Sequence, residues 1–178
     1  MERNTIMDAP STDIGLQLFW AQPSIFERHY ELYAEDRLLG ELCFKADGTA
    51  YGVLTIAGSA TQRWTFKGTG ILKPRVTIRE AGANVDMAVY RHRFRGDGWL
   101  EFVNGSRFLW KSTSFWRTGR GFYNARKELL FVLKPKLFDL LKIQSVVEIE
   151  AQWHDLDELP LLLLLACYLR VRDCYAGW

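Results

Sequence analysis

The 178-residue chain has the length of one domain, and 48% of its residues are apolar, so we expect a sizeable core without disulfide or metal staples. Its formal net charge is only +2, which gives no reason to expect a nucleic-acid partner. The cysteines, Cys43, Cys167 and Cys174, form neither a CxxC pair nor an even set. This argues against a zinc site and a disulfide framework, and it favours a reducing compartment.

Residues 1–17 are predicted to form a poorly ordered leader, and residues 18–178 a single domain. The leader contains acids, polar residues and a proline where a signal peptide needs a basic start and an apolar core. We therefore expect a cytoplasmic protein.

Short β-rich runs, many alternating apolar with polar residues, occupy the chain from about residue 30 to about residue 151. Asn104-Gly105 predicts a two-residue hairpin, and Asp47-Gly48 predicts another tight turn. About a dozen strands in one domain imply a closed or nearly closed antiparallel sheet. The predicted strands are residues 28–34, 37–44, 51–57, 60–68, 75–80, 85–92, 98–103, 106–112, 114–118, 121–125, 128–134 and 146–151.

Two helices are predicted towards the end of the chain. Residues 135–142 read as a short amphipathic helix that caps the barrel, and Leu159 to Val171 form a longer one that is apolar on every side. The longer helix has 13 residues and includes Arg170, whereas a membrane-spanning helix needs about 20. We therefore expect it to be buried inside the barrel, with no transmembrane span; membrane insertion is the alternative.

Three runs carry a family resemblance: LFWAQPSIFERHYELY (18–33), LCFKADGTAYGVL (42–54) and LPLLLLLACYLRVRD (159–173). Their pattern resembles the tubby C-terminal-like superfamily, which includes LURP-one-related proteins and phospholipid scramblases. The resemblance extends from about residue 19 to residue 178. It implies a mainly β fold, an antiparallel closed barrel of about 12 strands around a buried apolar C-terminal helix. It also implies a non-enzymatic role at membrane lipids.

Charge is distributed unevenly along the chain. Residues 87–127 carry nine basic residues against two acids, whereas residues 1–60 carry nine acids against four bases. Strands of this composition could bind the phosphates of anionic lipid, or they could simply carry solubilising charge on their outward positions. The candidate anion-binding residues are Arg107, Lys111, Arg117, Arg120, Arg126 and Lys127.

No catalytic motif accompanies these residues. The histidines His29, His92 and His154 are scattered, and the sequence contains no GxSxG, HExxH or glycine-rich phosphate loop. We expect no enzymatic activity, no cofactor and no metal site. The expected function is peripheral binding of anionic lipid or phosphate groups through a basic barrel face. The alternative is a protein-interaction or scaffold domain without a small-molecule ligand.

Overall fold

A computed structural model describes residues 16–55, 60–70, 74–93, 96–113, 119–136 and 142–176. Within these ranges the chain forms twelve β-strands, one turn of 3-10 helix at Ala151–Trp153 and one α-helix, α1, at Leu159–Ala176. The strands are β1 (Gln17–Ala21), β2 (His29–Ala34), β3 (Arg37–Phe44), β4 (Ala50–Leu54), β5 (Gln62–Thr69), β6 (Arg75–Glu80), β7 (Ala88–His92), β8 (Gly98–Phe102), β9 (Arg107–Ser112), β10 (Arg120–Tyr123), β11 (Leu129–Pro135) and β12 (Ser145–Ile149).

The strands form a closed antiparallel barrel in which each strand pairs with its neighbours in the chain and β1 pairs with β12. Alternating residues build its wall, because successive side chains of a strand point to opposite faces. In β9, Phe108 and Trp110 are buried towards the lumen while Arg107 and Leu109 face outward. The predicted mainly β, closed, 12-stranded barrel is therefore confirmed.

Helix α1 fills the lumen. Every residue from Leu161 to Leu169 is buried, so no side of this stretch faces solvent. The ring of Tyr168 stacks on Phe44 and Phe66, with centroids 5.3 and 5.5 Å away. The predicted burial of the helix is confirmed, although α1 continues to Ala176 rather than ending at Val171. Among the described helices, none has the length and apolarity needed to cross a bilayer.

Some predicted elements differ from the observed ones. Strand β1 was not predicted, and the connection that contains Asn104-Gly105 has four residues rather than two, with Gly105 at φ 89°. Pro135 ends β11 instead of starting a helix, and the rest of that predicted helix lies mostly outside the described residues. The predicted strand 114–118 and the leader up to residue 15 also lie outside them.

Candidate functional site

The two ends of the barrel are distinguished by the direction of α1. At one end, Leu159 and Leu163 of the helix line a small cavity together with Leu18, Leu54 and Ile149 from the wall. At the other end, the last turns of the helix reach the connections between β1 and β2 and between β3 and β4. Because the strands run up and down in chain order, every connection can be assigned to one end.

The described connections at the two ends carry opposite charge. Those at the end where α1 begins contain eight acids and two bases, and we call it the acidic end. Those at the end where α1 terminates contain five bases and three acids, and we call it the basic end. The acidic-end residues are Glu35, Asp36, Asp86, Glu128, Glu150, Asp155, Asp157 and Glu158 with Arg126 and Lys127, and the basic-end residues are Arg28, Lys45, Arg93, Lys136 and Lys142 with Glu27, Asp47 and Asp97.

Three of the predicted anion-binding residues lie towards the acidic end. Arg126 and Lys127 are exposed in the connection between β10 and β11. Arg107 starts β9, and its Nη2 is 2.6 Å from Oε1 of Glu101 on the neighbouring strand. The charge of Arg107 is thus balanced locally, and Arg126 and Lys127 are outnumbered by the acids of the acidic end.

Lys111 and Arg120 lie near the basic end but on opposite faces of the wall. Lys111 faces outward, with its Nζ 4.2 Å from the ring centroid of Tyr123. Arg120 occupies the same face as the buried Phe122, and its Nη2 is 3.1 Å from Oδ1 of Asp97. Arg117 lies outside the described residues. The described members of the predicted set therefore do not form one basic face.

A more concentrated group of cations lies on β5, β6 and β7. On these three strands, the residues that alternate with the buried ones face outward. These outward positions carry five bases and no carboxylate. Arg75 lies directly across from Arg91, and Lys67 is on the adjoining strand. None of these three is in an ion pair within the described part of the chain. Like charges in register are unfavourable unless an anion lies close by.

The basic end also contains a recess of about 310 Å³, a size at the lower limit of ligand pockets at roughly 300–1,000 Å³. The guanidinium of Arg28 lies in it, 4.7 Å from the ring centroid of Phe44 and 5.5 Å from that of Tyr175. Arg172 lines the same recess, as does Asp47. A hydrogen bond from the backbone N–H of Thr49 lowers the pKa of Asp47, so this carboxylate stays charged. Two guanidinium groups and one carboxylate leave the recess with a net positive charge.

An apolar tip projects beside this recess. Phe26, 92% exposed, and Ile25, 43% exposed, lie in the connection between β1 and β2. The connection is held in place by the buried Gln22, whose Nε2 donates to the carbonyl of Glu27 at 2.9 Å and whose Oε1 accepts from the N–H of Ile143 at 3.0 Å. Through Gln22, these two hydrogen bonds attach the connection between β1 and β2 to the connection between β11 and β12, although Phe26 and Ile25 face solvent.

Sequence reasoning did not select these residues, although part of the signal was present. Arg75 and Arg91 alternate with buried residues in two correctly predicted strands, so their outward direction followed from period two. Phe26 follows Pro23 and Ser24 in a run rich in apolar residues, and composition alone does not separate an exposed tip from a core strand. Arg28 and Arg172 are far apart in the chain, so only the closed barrel brings them together.

Comparison with protein-family models, curated proteins and solved structures finds no match to this chain. Within its described residues, the basic end combines an apolar tip, a positively charged recess and a row of outward cations.

Proposed function

We propose that this protein is a peripheral membrane-binding domain that docks on anionic lipid through its basic end. Phe26 and Ile25 enter the interfacial region, and Arg28 contacts lipid phosphate. The observation that carries the proposal is the fixed apolar tip among cations at one end of a barrel whose other end is acidic. Apolar side chains bordered by cations favour anionic bilayers, because interfacial burial and headgroup attraction add to each other.

The geometry supports an orientation as well as a site. A negative surface attracts the basic end and repels the acidic end. The barrel axis is therefore steeply inclined to the bilayer plane, with the basic end facing the lipid. The row of Lys67, Arg75 and Arg91 begins near the same end, where its charges still lie within reach of the surface. Arg28 and Arg172 both line the recess, so a phosphate group bound there would need no space in the filled lumen.

The proposal keeps three expectations from the sequence as hypotheses: a non-enzymatic role, a cytoplasmic location and a relationship to tubby-like proteins. It changes the surface that would bind lipid. The sequence placed it on the wall around β9 and β10, whereas charge and exposure favour the end of the barrel.

Vesicle flotation tests the proposal at low ionic strength, with phosphatidylcholine vesicles that contain or lack phosphatidylserine. The protein should float only with the anionic vesicles, and Phe26→Ser should weaken its partitioning about tenfold, the effect of about 1.4 kcal/mol of lost apolar burial. Arg28→Gln should weaken it about fivefold, because each cation near an anionic surface contributes about 1 kcal/mol. Added salt should reduce binding by screening the headgroups.

Matched controls are available at the acidic end. Val103→Ser removes an apolar side chain that is 75% exposed there, and Arg126→Gln removes an exposed cation there. Both variants should float like the parent protein. Equal losses in Val103→Ser and Phe26→Ser would contradict the assignment to the basic end. Absence of flotation with anionic vesicles would reject lipid binding and leave the protein-interaction alternative, in which Phe26 enters an apolar pocket of a partner.

A further inference from the structure

A group of metal-ligand side chains lies on the outer wall, on the two strands whose ends border the basic end's recess. His29 and Glu31 share the outward face of β2, and Glu41 lies on the same face of β3. Nε2 of His29 is 4.0 Å from Oε1 of Glu31 and 3.9 Å from Oε1 of Glu41. One donor atom from each of the three residues lies within 4.8 Å of the others.

The pairing of β2 with β3 accounts for this grouping. Glu31 is directly opposite Glu41, and His29 is directly opposite Cys43. Because side chains alternate, residues two apart on each strand form a compact lattice on the outer face. The sequence signal is therefore His-x-Glu on one strand and Glu-x-Cys on the next, a pattern that differs from the CxxC and HExxH motifs.

Two carboxylates in register repel each other. Neither Glu31 nor Glu41 forms an ion pair with lysine or arginine within the described ranges; His29 is their shared partner. The thiol of Cys43 lies in the electrostatic field of the same glutamates. Burial raises the pKa of Cys43, and the charges of Glu41, Glu27 and Glu31 raise it further.

The histidine nitrogen and one carboxylate are already oriented for a shared ligand. Nε2 of His29 is shielded from solvent and makes no hydrogen bond to the described residues. The hydroxyl of Tyr33 donates to Oε2 of Glu31 at 2.5 Å, which leaves Oε1 of that carboxylate directed towards the histidine. Outer hydrogen bonds of this kind hold ligating carboxylates in place at metal sites.

We propose that His29, Glu31 and Glu41 bind a divalent transition-metal ion such as Zn²⁺, with Tyr33 as a positioning residue. One imidazole nitrogen and two carboxylate oxygens form a borderline donor set that suits zinc, whereas Ca²⁺ takes about 6–8 oxygen ligands. Donors bound to one zinc at about 2.0–2.2 Å lie about 3.3 Å apart, so small side-chain rotations close the site. The ion replaces the repulsion between the two glutamates with a common attraction.

Isothermal titration of the metal-free full chain with ZnCl₂ tests the site. We expect one zinc ion per chain, and weaker binding of Ca²⁺ and Mg²⁺. His29→Gln and Glu41→Gln should each weaken zinc binding by more than about tenfold, and Tyr33→Phe by about tenfold, the effect of losing an outer hydrogen bond. The controls His154→Gln and Glu101→Gln remove the same residue types elsewhere and should bind like the parent. Thermal melts verify that each variant is folded.

Cys43→Ser separates the proposed site from adventitious binding to a thiol. Unchanged zinc affinity in this variant supports the three-residue site. A loss shared by Cys43→Ser, His29→Gln and Glu41→Gln also supports it and adds the thiolate as a fourth donor, which Co²⁺ in place of zinc would reveal as a sulfur-to-metal absorption band. Loss in Cys43→Ser alone overturns the proposal. So does zinc binding that survives in both His29→Gln and Glu41→Gln, or no zinc binding by the parent.

Discussion

His92 is a titratable residue of the barrel wall at the basic end. It ends β7 on the same face as the buried Tyr90, so its ring turns towards the lumen at the basic end. Burial lowers its pKa from the ordinary value of 6.5, Asp173 acts in the opposite direction, and Arg120 and Arg172 lower it further. The folded protein therefore favours neutral His92.

The sign of the resulting pH effect follows from linkage. Since the pKa is lower in the folded than in the unfolded chain, the contribution of His92 to stability is complete above the ordinary value of 6.5. It is lost as pH falls through the folded value. We expect the free energy of unfolding, measured with urea, to decrease between about pH 7 and pH 5, and His92→Gln to flatten this decrease. An identical flattening in His154→Gln, at the opposite end, would contradict the assignment.

Arg120 explains why the candidate site was only partly predictable from the sequence. The predicted strand 121–125 began after Arg120, but in the structure β10 starts at Arg120. The alternation that buries Phe122 therefore also turns Arg120 towards the lumen, and sequence patterns do not define strand starts closely enough to show this. The glycine at 96, with φ 83°, also leaves room for the Arg120 guanidinium: a Cβ there would lie 2.6 Å from Nη1.

At the scale of elements, α1 and the wall depend on each other. The helix presents apolar side chains in all directions, and the lumen is what removes them from water. The fit is close at β4, where a Cβ added to Gly52 would lie 2.9 Å from Cδ1 of Leu164. Most of this fold was predictable, because alternating strands and a uniformly apolar helix are strong patterns. Strand β1 was missed because its five residues, next to the expected leader, contain only two buried positions.

Leu163 tests the dependence of the barrel on its helix. The residue is 1% exposed, so Leu163→Ala should lower the free energy of unfolding by about 2–5 kcal/mol, through lost burial and the cavity left behind. Leu163→Glu should abolish cooperative unfolding, because it places an unpaired carboxylate in the lumen. Leu38→Ala, at an exposed leucine of β3, is the control and should change stability by less than about 0.5 kcal/mol. Urea midpoints at constant slope provide the measurement.

A chain shortened to end at Glu158 provides the opposite test. If it unfolded cooperatively with the stability of the full chain, the helix would not be needed to support the wall, and the barrel would be stable when hollow. We expect instead that this shortened chain loses cooperative folding, because more than a dozen wall side chains would face an empty lumen.

At the scale of the whole molecule, the described connections separate charge along the barrel axis and so create a dipole, although the formal net charge is only +2. Because the net charge is small, two molecules repel each other only weakly. The strongest electrostatic interaction between them is then the attraction of the basic end of one to the acidic end of the other. We expect head-to-tail attraction at low ionic strength. Static light scattering should therefore give a second virial coefficient that rises as salt is added to about 0.15 M, where the screening length is about 8 Å.

Two triple variants with the same net charge separate the dipole from the net charge. Glu35→Gln, Asp36→Asn and Glu150→Gln remove charge from the acidic end, and Glu27→Gln, Asp47→Asn and Asp97→Asn remove it from the basic end. The first triple variant should lose the salt dependence, because its dipole is smaller, and the second should retain most of it. A virial coefficient that falls with added salt in the parent would mean that net repulsion dominates. The opposed charges of the two ends would then be too weak to orient the barrel, either on another molecule or on a membrane.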